Sequence, residues 1–232
     1  FPRAGFPLPK AAALSACAAH LKAGPQSMSQ MALPFDWPAA ETADNFIVTA
    51  SNRAAVEHLE APGRWPVRAT LLTGPRKSGR SLLARIFAAQ SGGAIIDDAE
   101  TLADADIFHR WNLAQEDRRP LLIVMLERTP PWKARLPDLA TRMSVTPRIT
   151  IAEPDDLLFG MLLEKLLAQR GLAIAPDVTR YLTARAERSY VALHRLVDAL
   201  DATALSRRRP ITTRLARDVL EALGMTPLER PL

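Results

Sequence analysis

The sequence predicts an α/β chain: a parallel sheet organised round a glycine loop, followed by a small all-α domain. Three observations carry this. A short apolar run over residues 67–73 leads directly into Gly74-Pro75-Arg76-Lys77-Ser78-Gly79-Arg80-Ser81, and helical spacing follows over residues 82–90. Strand, glycine loop and helix in that order form the context in which such a loop cradles phosphate. Further short runs at 93–98, 120–126 and 148–151 read as strands. Beyond residue 155 every periodic segment is helical.

Length and composition set the outer bounds. The chain has 232 residues, one large domain or two small ones, and enough to bury a core without staples. Hydrophobic residues are 48% and charged residues 24%, which excludes a wholly disordered chain, a collagen-like repeat and a coiled-coil rod. No run reaches the ~18 apolar residues of a membrane helix. The single cysteine, Cys17, excludes an intrachain disulfide and a cysteine zinc site, and suits a reducing cytoplasm. Thirty Lys+Arg against 25 Asp+Glu leave a net +5, which permits nucleic-acid contact without arguing for it.

The first 27 residues carry four prolines and no sustained amphipathic period. They are expected to be a disordered leader, with Met28 an internal start candidate. The alternative is a signal or lipid-attachment segment, since an alanine-rich run precedes Cys17. Residues 28–40 form a short peptide and a Pro/Ala linker. In Gln30-Met31-Ala32-Leu33-Pro34-Phe35 a long polar anchor precedes two apolar plugs, Leu33 and Phe35. Such a peptide either lays its plugs into a partner's pocket or covers the domain's own core.

The glycine loop matches G-x-x-x-x-G-K-[ST] except at Arg80, which stands where lysine is expected. Gly74, Pro75, Lys77, Ser78, Gly79, Arg80 and Ser81 are therefore the expected phosphate-binding set. Backbone N–H groups and a helix N-terminus attract phosphate whatever the lysine position holds. Ser81 is the expected magnesium ligand. Arg80 keeps the charge but is bulkier than an ammonium, so binding is expected to outlast hydrolysis. A tight structural turn with basic residues is the bland reading.

Asp97-Asp98 closes the second strand. There Asp97 would organise magnesium, and Asp98 would polarise a water or cap the next helix. The strand at 120–126 ends in Glu127-Arg128, at a place suited to sensing a terminal phosphate. Arg135 and Arg142 precede the strand at 148–151. An arginine there either reaches a neighbouring subunit's nucleotide or is a surface charge on a polar helix.

The last third reads as four helices. Asp155-Asp156 caps 157–170, which Gly171 ends; Pro176-Asp177 opens the second; Ser189 caps the third; Pro210-Ile211-Thr212 starts the last. Arg207-Arg208-Arg209 between helices is expected to be a solvated turn rather than a nucleic-acid site.

In this order the pieces resemble the AAA+ ATPases of the DnaA type, over about residues 44–223. Asp44-Asn45-Phe46-Ile47-Val48 with Ser51-Asn52 resembles that family's adenine-side opening, with Asn52 in the nucleotide set. The loop matches its phosphate loop, Asp97-Asp98 its magnesium motif and Glu127-Arg128 its first sensor. Asp138-Leu139 with Thr141-Arg142-Met143 resembles its arginine-finger box. Glu153-Pro154-Asp155 resembles the opening of its lid. The resemblance implies an AAA+ base domain over residues 41–152, a helical lid over 153–232, and ADP or ATP with Mg²⁺ as cofactors. Gln30, Leu33 and Phe35 are spaced like the clamp-binding peptide of bacterial replication proteins. That peptide before such a base is similar to the Hda type, regulators that inactivate DnaA.

Two departures bear on function. Val191 or Ala192 occupies the position of the lid's sensor arginine, leaving Arg188 or Arg195 as substitutes. Only three residues separate Gln90 from Ala94, so one strand-helix unit, including a DNA-gripping segment, has no room. The resemblance implies a degenerate AAA+ protein that docks on the beta sliding clamp of DNA polymerase III. It presents Arg142 to the ATP of DnaA, contacts DNA indirectly, forms a homo-oligomer as one option, and has no membrane role. The alternatives are an ATPase or DNA-associated initiator with its own turnover, and a purely structural adaptor.

Overall fold

The computed structural model describes residues 46–225; the leader, the peptide with Gln30, Leu33 and Phe35, and Asp44-Asn45 lie outside the described residues. Four parallel strands form one sheet in the order β2-β3-β1-β4: β1 is Ala69–Gly74, β2 Ala94–Ile96, β3 Leu121–Leu126 and β4 Arg148–Thr150. In register, Ala69 faces Leu121 and Gly74 faces Leu126.

The side-chain alternation of β1 and β3 decides what lies on each face. Leu72, Leu122 and Val124 join a core with α1 (Arg53–Glu60) and α2 (Arg80–Ser91). Leu71, Leu121, Ile123 and Met125 join another with α3 (Asp104–Glu116) and with Leu139 of α4 (Pro137–Val145). Burial on both faces explains why β3 reads as a continuous apolar run. On the α1–α2 side, His58, Trp65 and Phe87 stack in series, centroids 5.2 and 5.6 Å apart. Burial holds the His58 imidazole below its usual value.

The missing unit is visible at one junction. Helix α2 ends at Ser91 and β2 begins at Ala94, with only Gly92 and Gly93 between. Gly92 closes the helix in the left-handed region, φ 66°. A Cβ on Gly93 would fall 2.7 Å from the Phe87 ring and 2.8 Å from the Pro120 carbonyl oxygen. The chain passes this point at glycine and goes straight into the edge strand.

Helices α5 (Asp156–Gln169), α6 (Pro176–Thr183), α7 (Tyr190–Arg207) and α8 (Thr213–Ala222) share their own core, including Phe159, Leu163, Leu193, Leu196 and Leu220. Their caps are those read from the sequence: Asp155 accepts from Leu158 N–H at 2.7 Å, Ser189 from Ala192 N–H at 3.0 Å and Thr212 from Leu215 N–H at 3.3 Å. No helix among the described residues is long and apolar enough to cross a membrane.

Asp155 also joins the two parts, its Oδ2 accepting from Ser51 N–H at 3.2 Å. Burial pushes its carboxyl up, but bonds from Leu158, Thr49 and Ser51 outweigh it and hold the group below 3.8. Asp155→Ala is expected to cost about 1–2 kcal/mol, as loss of an N-cap does, read by urea unfolding. The contribution is present above the unfolded carboxyl's pKa and lost as pH falls through the lower folded value. The wild-type–mutant gap should therefore shrink only in acid.

Candidate nucleotide site and exposed arginine

The glycine loop lies at the C-terminal end of β1, at the foot of α2. Gly74 is buried, and a Cβ there would come within 3.1 Å of both Ile151 and Ser78 Oγ. The backbone turns left-handed at Lys77, φ 66°, and at Gly79, φ 84°. Gly79 is the N-cap of α2 and offers no side chain, so the first-turn N–H groups have no side-chain cap. Ser78 Oγ and Arg80 Nη1 are buried without a partner. Buried groups left unpaired cost about 1–3 kcal/mol each. A ligand rich in oxygen acceptors would satisfy them, so the residues present fit a nucleotide's phosphates.

Ser81 stands partly exposed in the first turn of α2. Asn52 is buried, and both ends of its amide close its own loop. Nδ2 donates to the Ile47 carbonyl at 2.8 Å and Oδ1 accepts from Thr49 N–H at 2.9 Å. It shapes the segment from Ile47 to Asn52 from within. Phe46 of that segment lies against the loop, 3.2 Å from where a Gly79 Cβ would be.

Asp97 and Asp98 are exposed just beyond β2, two strands from β1. Asp97 Oδ1 accepts from Asp98 N–H at 3.0 Å. Asp98, φ 47°, opens a 3₁₀ turn without a side-chain cap, and α3 begins after Ala103. The helix-cap alternative for Asp98 therefore fails. Among the described residues no three His, Cys, Asp or Glu side chains gather closely enough to hold a metal. Ser81 lies on the loop and Asp97 at a strand end, and Asp97 belongs to no such group.

Glu127 is tied beside the loop by its N–H, which donates to the Gly74 carbonyl at 3.0 Å. Burial raises the Glu153 carboxyl above its usual value, and Glu127 and Glu187 add to the rise against a hydrogen bond from Tyr190 N–H. Burial and Glu153 likewise push the Tyr190 phenol up to about 12.

Arg142 is exposed in the last turn of α4. Its guanidinium lies over the Trp111 ring, 5.0 Å from the centroid. Trp111 Nε1–H donates to Thr146 Oγ1 at 3.0 Å, and the Thr146 hydroxyl donates to the Arg142 carbonyl at 2.8 Å. The arginine is outward but held. Arg135, also exposed, is anchored among the described residues by its backbone N–H, which donates to Asp104.

In the lid, Val191 is 43% exposed and Ala192 is buried, so neither offers a charge. Arg188 is locked inward, bonded to Asp156 at 2.8 Å and stacked over Phe159 at 5.2 Å. Arg195 is exposed.

Residues 161–220 match the family model described as Hda, lid domain. That stretch, α5 to α8, is similar to the lid domain of Hda. The solved structures that resemble this chain share the fold at low identity. Domain III of the replication initiator DnaA from Thermotoga maritima superposes with TM-score 0.62 at 15% identity, over 78% of this chain and 96% of that one. A DnaA bound to AMPPCP and single-stranded DNA gives 0.56 at 16%, over 72% and 67%. The Holliday junction branch migration motor RuvB of Thermotoga maritima gives 0.57 at 15%, over 79% and 72%.

The structure adds residues that sequence reading missed. Glu100, with its side chain 5% exposed, accepts from Leu126 N–H at 3.1 Å and so fixes the end of β3. Its only sequence signal is its place two residues after the acid pair. Tyr190 is the other, on the first turn of α7, where the sequence reading sought an arginine.

Proposed function

We propose that this chain is a negative regulator of replication initiation, which docks on the DNA sliding clamp and accelerates hydrolysis of the ATP held by DnaA. The observation that carries the reading is Arg142, exposed and braced at the end of α4 in a protein with an Hda-type lid. A guanidinium projecting from one protein into another's nucleotide stabilises the charge that develops on the transferring phosphoryl group. Stacking on Trp111 keeps the fork from folding back on its own helix, so less orientation is lost when the partner arrives.

The chain's own loop is proposed to bind ADP or ATP as a structural element. Backbone N–H groups from Lys77 to Ser81 would hold the phosphates, with Ser81 and Asp97 toward Mg²⁺. Magnesium, when bound, neutralises phosphate charge. Glu127, Glu153 and Glu187 crowd this side with negative charge, which favours the nucleotide with fewer phosphates. Turnover by the isolated chain is expected to be very slow.

The test is a single-turnover assay with DnaA preloaded with labelled ATP and clamp loaded on DNA. Adding this protein should speed conversion to ADP. No acceleration on clamp-loaded DNA overturns the reading. Rapid hydrolysis without DnaA would favour an ATPase with its own turnover.

Clamp docking is assigned to Gln30, Leu33 and Phe35. Each apolar plug contributes about 1.5–3 kcal/mol when fully buried, before ordering costs. Leu33→Ala with Phe35→Ala should abolish clamp binding in a pull-down and leave the melting temperature unchanged. A marked fall in melting temperature would assign the peptide to the protein's own core.

A further inference from the structure

Among the described residues the sheet is left open at β2, which pairs with β3 on one side and with no strand on the other. Ala94 N–H donates inward, to the Pro120 carbonyl at 2.8 Å. Backbone groups alternate in direction along a strand, so the N–H and C=O of Ile95 point outward, away from β3. Arg119 guards only the approach to this edge. Its Nε donates to the Gly92 carbonyl at 2.7 Å and its Nη2 to the Gly93 carbonyl at 3.4 Å, which stops short of Ile95. Beside the open edge lies a cavity of about 160 Å³, lined in part by Ala94, Ile95, Arg110, Leu113 and Asp117. That is below the ~300–1,000 Å³ of a small-molecule site, so a macromolecular surface is the better cover. Leu113 at its rim is a large apolar side chain left exposed.

The charges on this face are self-complementary. Arg110 and Asp117 stand two turns apart on α3 and bracket Leu113 and Ala114. Both are exposed, and neither forms an ion pair among the described residues. Asp117 is the C-cap of α3, where the helix macrodipole opposes a carboxylate. A two-fold axis beside Leu113 would lay α3 antiparallel to its copy and set each Arg110 opposite the other copy's Asp117. The same axis would bring Ile95 against Ile95 of the second copy, as a pair that exchanges two N–H···O bonds.

We propose that β2 and α3 form a two-fold interface with a second copy of this chain, joining the two sheets edge to edge through Ile95. The contact uses the same patch on both copies, so it closes at a dimer. It needs no nucleotide and stands apart from the function proposed above. The paired strand is short, so the dimer is weak and assembles as concentration rises.

Sedimentation equilibrium of the full chain, from about 1 μM to about 1 mM, reads the dimer's Kd. Hydrogen exchange at the two ends of that range reads the edge itself. The dimer fraction should rise with concentration, and exchange over residues 94–97 should slow with it. Asp117→Arg sets guanidinium groups face to face and should weaken the dimer at least about tenfold. Arg110→Asp added to Asp117→Arg exchanges the two charges and should restore the wild-type Kd. Ile95→Pro removes the outward N–H, a change that an edge strand tolerates, and should give a monomer. If circular dichroism shows that Ile95→Pro does not fold, the charge variants decide. A monomer at every concentration overturns the proposal. So does a dimer that Asp117→Arg leaves unchanged, because its contact lies elsewhere. Slowed exchange over 94–97 that appears only when DnaA or the clamp is added gives the edge to another protein, and overturns the pairing of two copies.

Discussion

Arg142→Ala is expected to remove the stimulation of ATP hydrolysis on DnaA, a loss approaching the ~10³-fold that marks the lower end for arginines supplied in trans. Clamp binding and nucleotide binding should survive, since α4 packs through Leu139 in a different core from α2, which follows the glycine loop. Folding is not wholly indifferent to the change. The guanidinium lies over Trp111, and losing such a contact at an exposed site costs about 0.5–1 kcal/mol. A slightly lower denaturation midpoint with intact circular dichroism is therefore the expected companion result. Arg142→Lys keeps a positive charge but loses the planar fork, so it should recover stability better than activity. Arg135→Ala is the control, because only its backbone is anchored, through Asp104. Wild-type stimulation by Arg142→Ala on DNA-loaded clamp would remove the finger assignment and leave a docking adaptor.

Gly79→Ala should abolish nucleotide binding, with at least a tenfold loss of affinity by calorimetry. At φ 84° a residue with a Cβ pays about 1–2 kcal/mol for the left-handed conformation. The added methyl also meets the Phe46 ring at 3.2 Å. Relief of either strain rotates the peptide that opens α2 and re-aims the N–H groups that face phosphate. Gly63→Ala is the matched control, since nothing lies within 4 Å of a Cβ there. Retained affinity in Gly79→Ala would mean that the loop does not hold phosphate through its backbone.

The turn of the glycine loop and the caps were legible because each depends on residues adjacent in sequence. Gly74 and Gly79 bracket a turn that few other residues permit, and Asp155, Ser189 and Thr212 each cap the helix they precede. Helices α1 and α3 were not read. Helix α3 buries Ile107, Trp111 and Ala114, yet Leu113 on the same helix is 39% exposed, which blurs its apolar face. Its stability comes from docking on the sheet, not from its own pattern. At the site, Arg188 looked like a candidate phosphate contact by spacing alone. Asp156 and Phe159 capture it, and that depends on two helices crossing.

The insertion of Tyr190, together with Leu158, has a consequence for timing. Both lid residues lie in the core formed with α1, α2, β1 and β3, and each is only 2% exposed. Swinging the lid away from the base would draw two side chains out of that core and break the Tyr190–Ala152 hydrogen bond. At about 1.5–3 kcal/mol for each side chain, detachment is roughly 10²–10⁴-fold rarer than for a lid resting on surface contacts alone. On the nucleotide-binding reading proposed above, a nucleotide held under the lid would therefore leave slowly, and its occupancy would average over fluctuations in the surrounding pool.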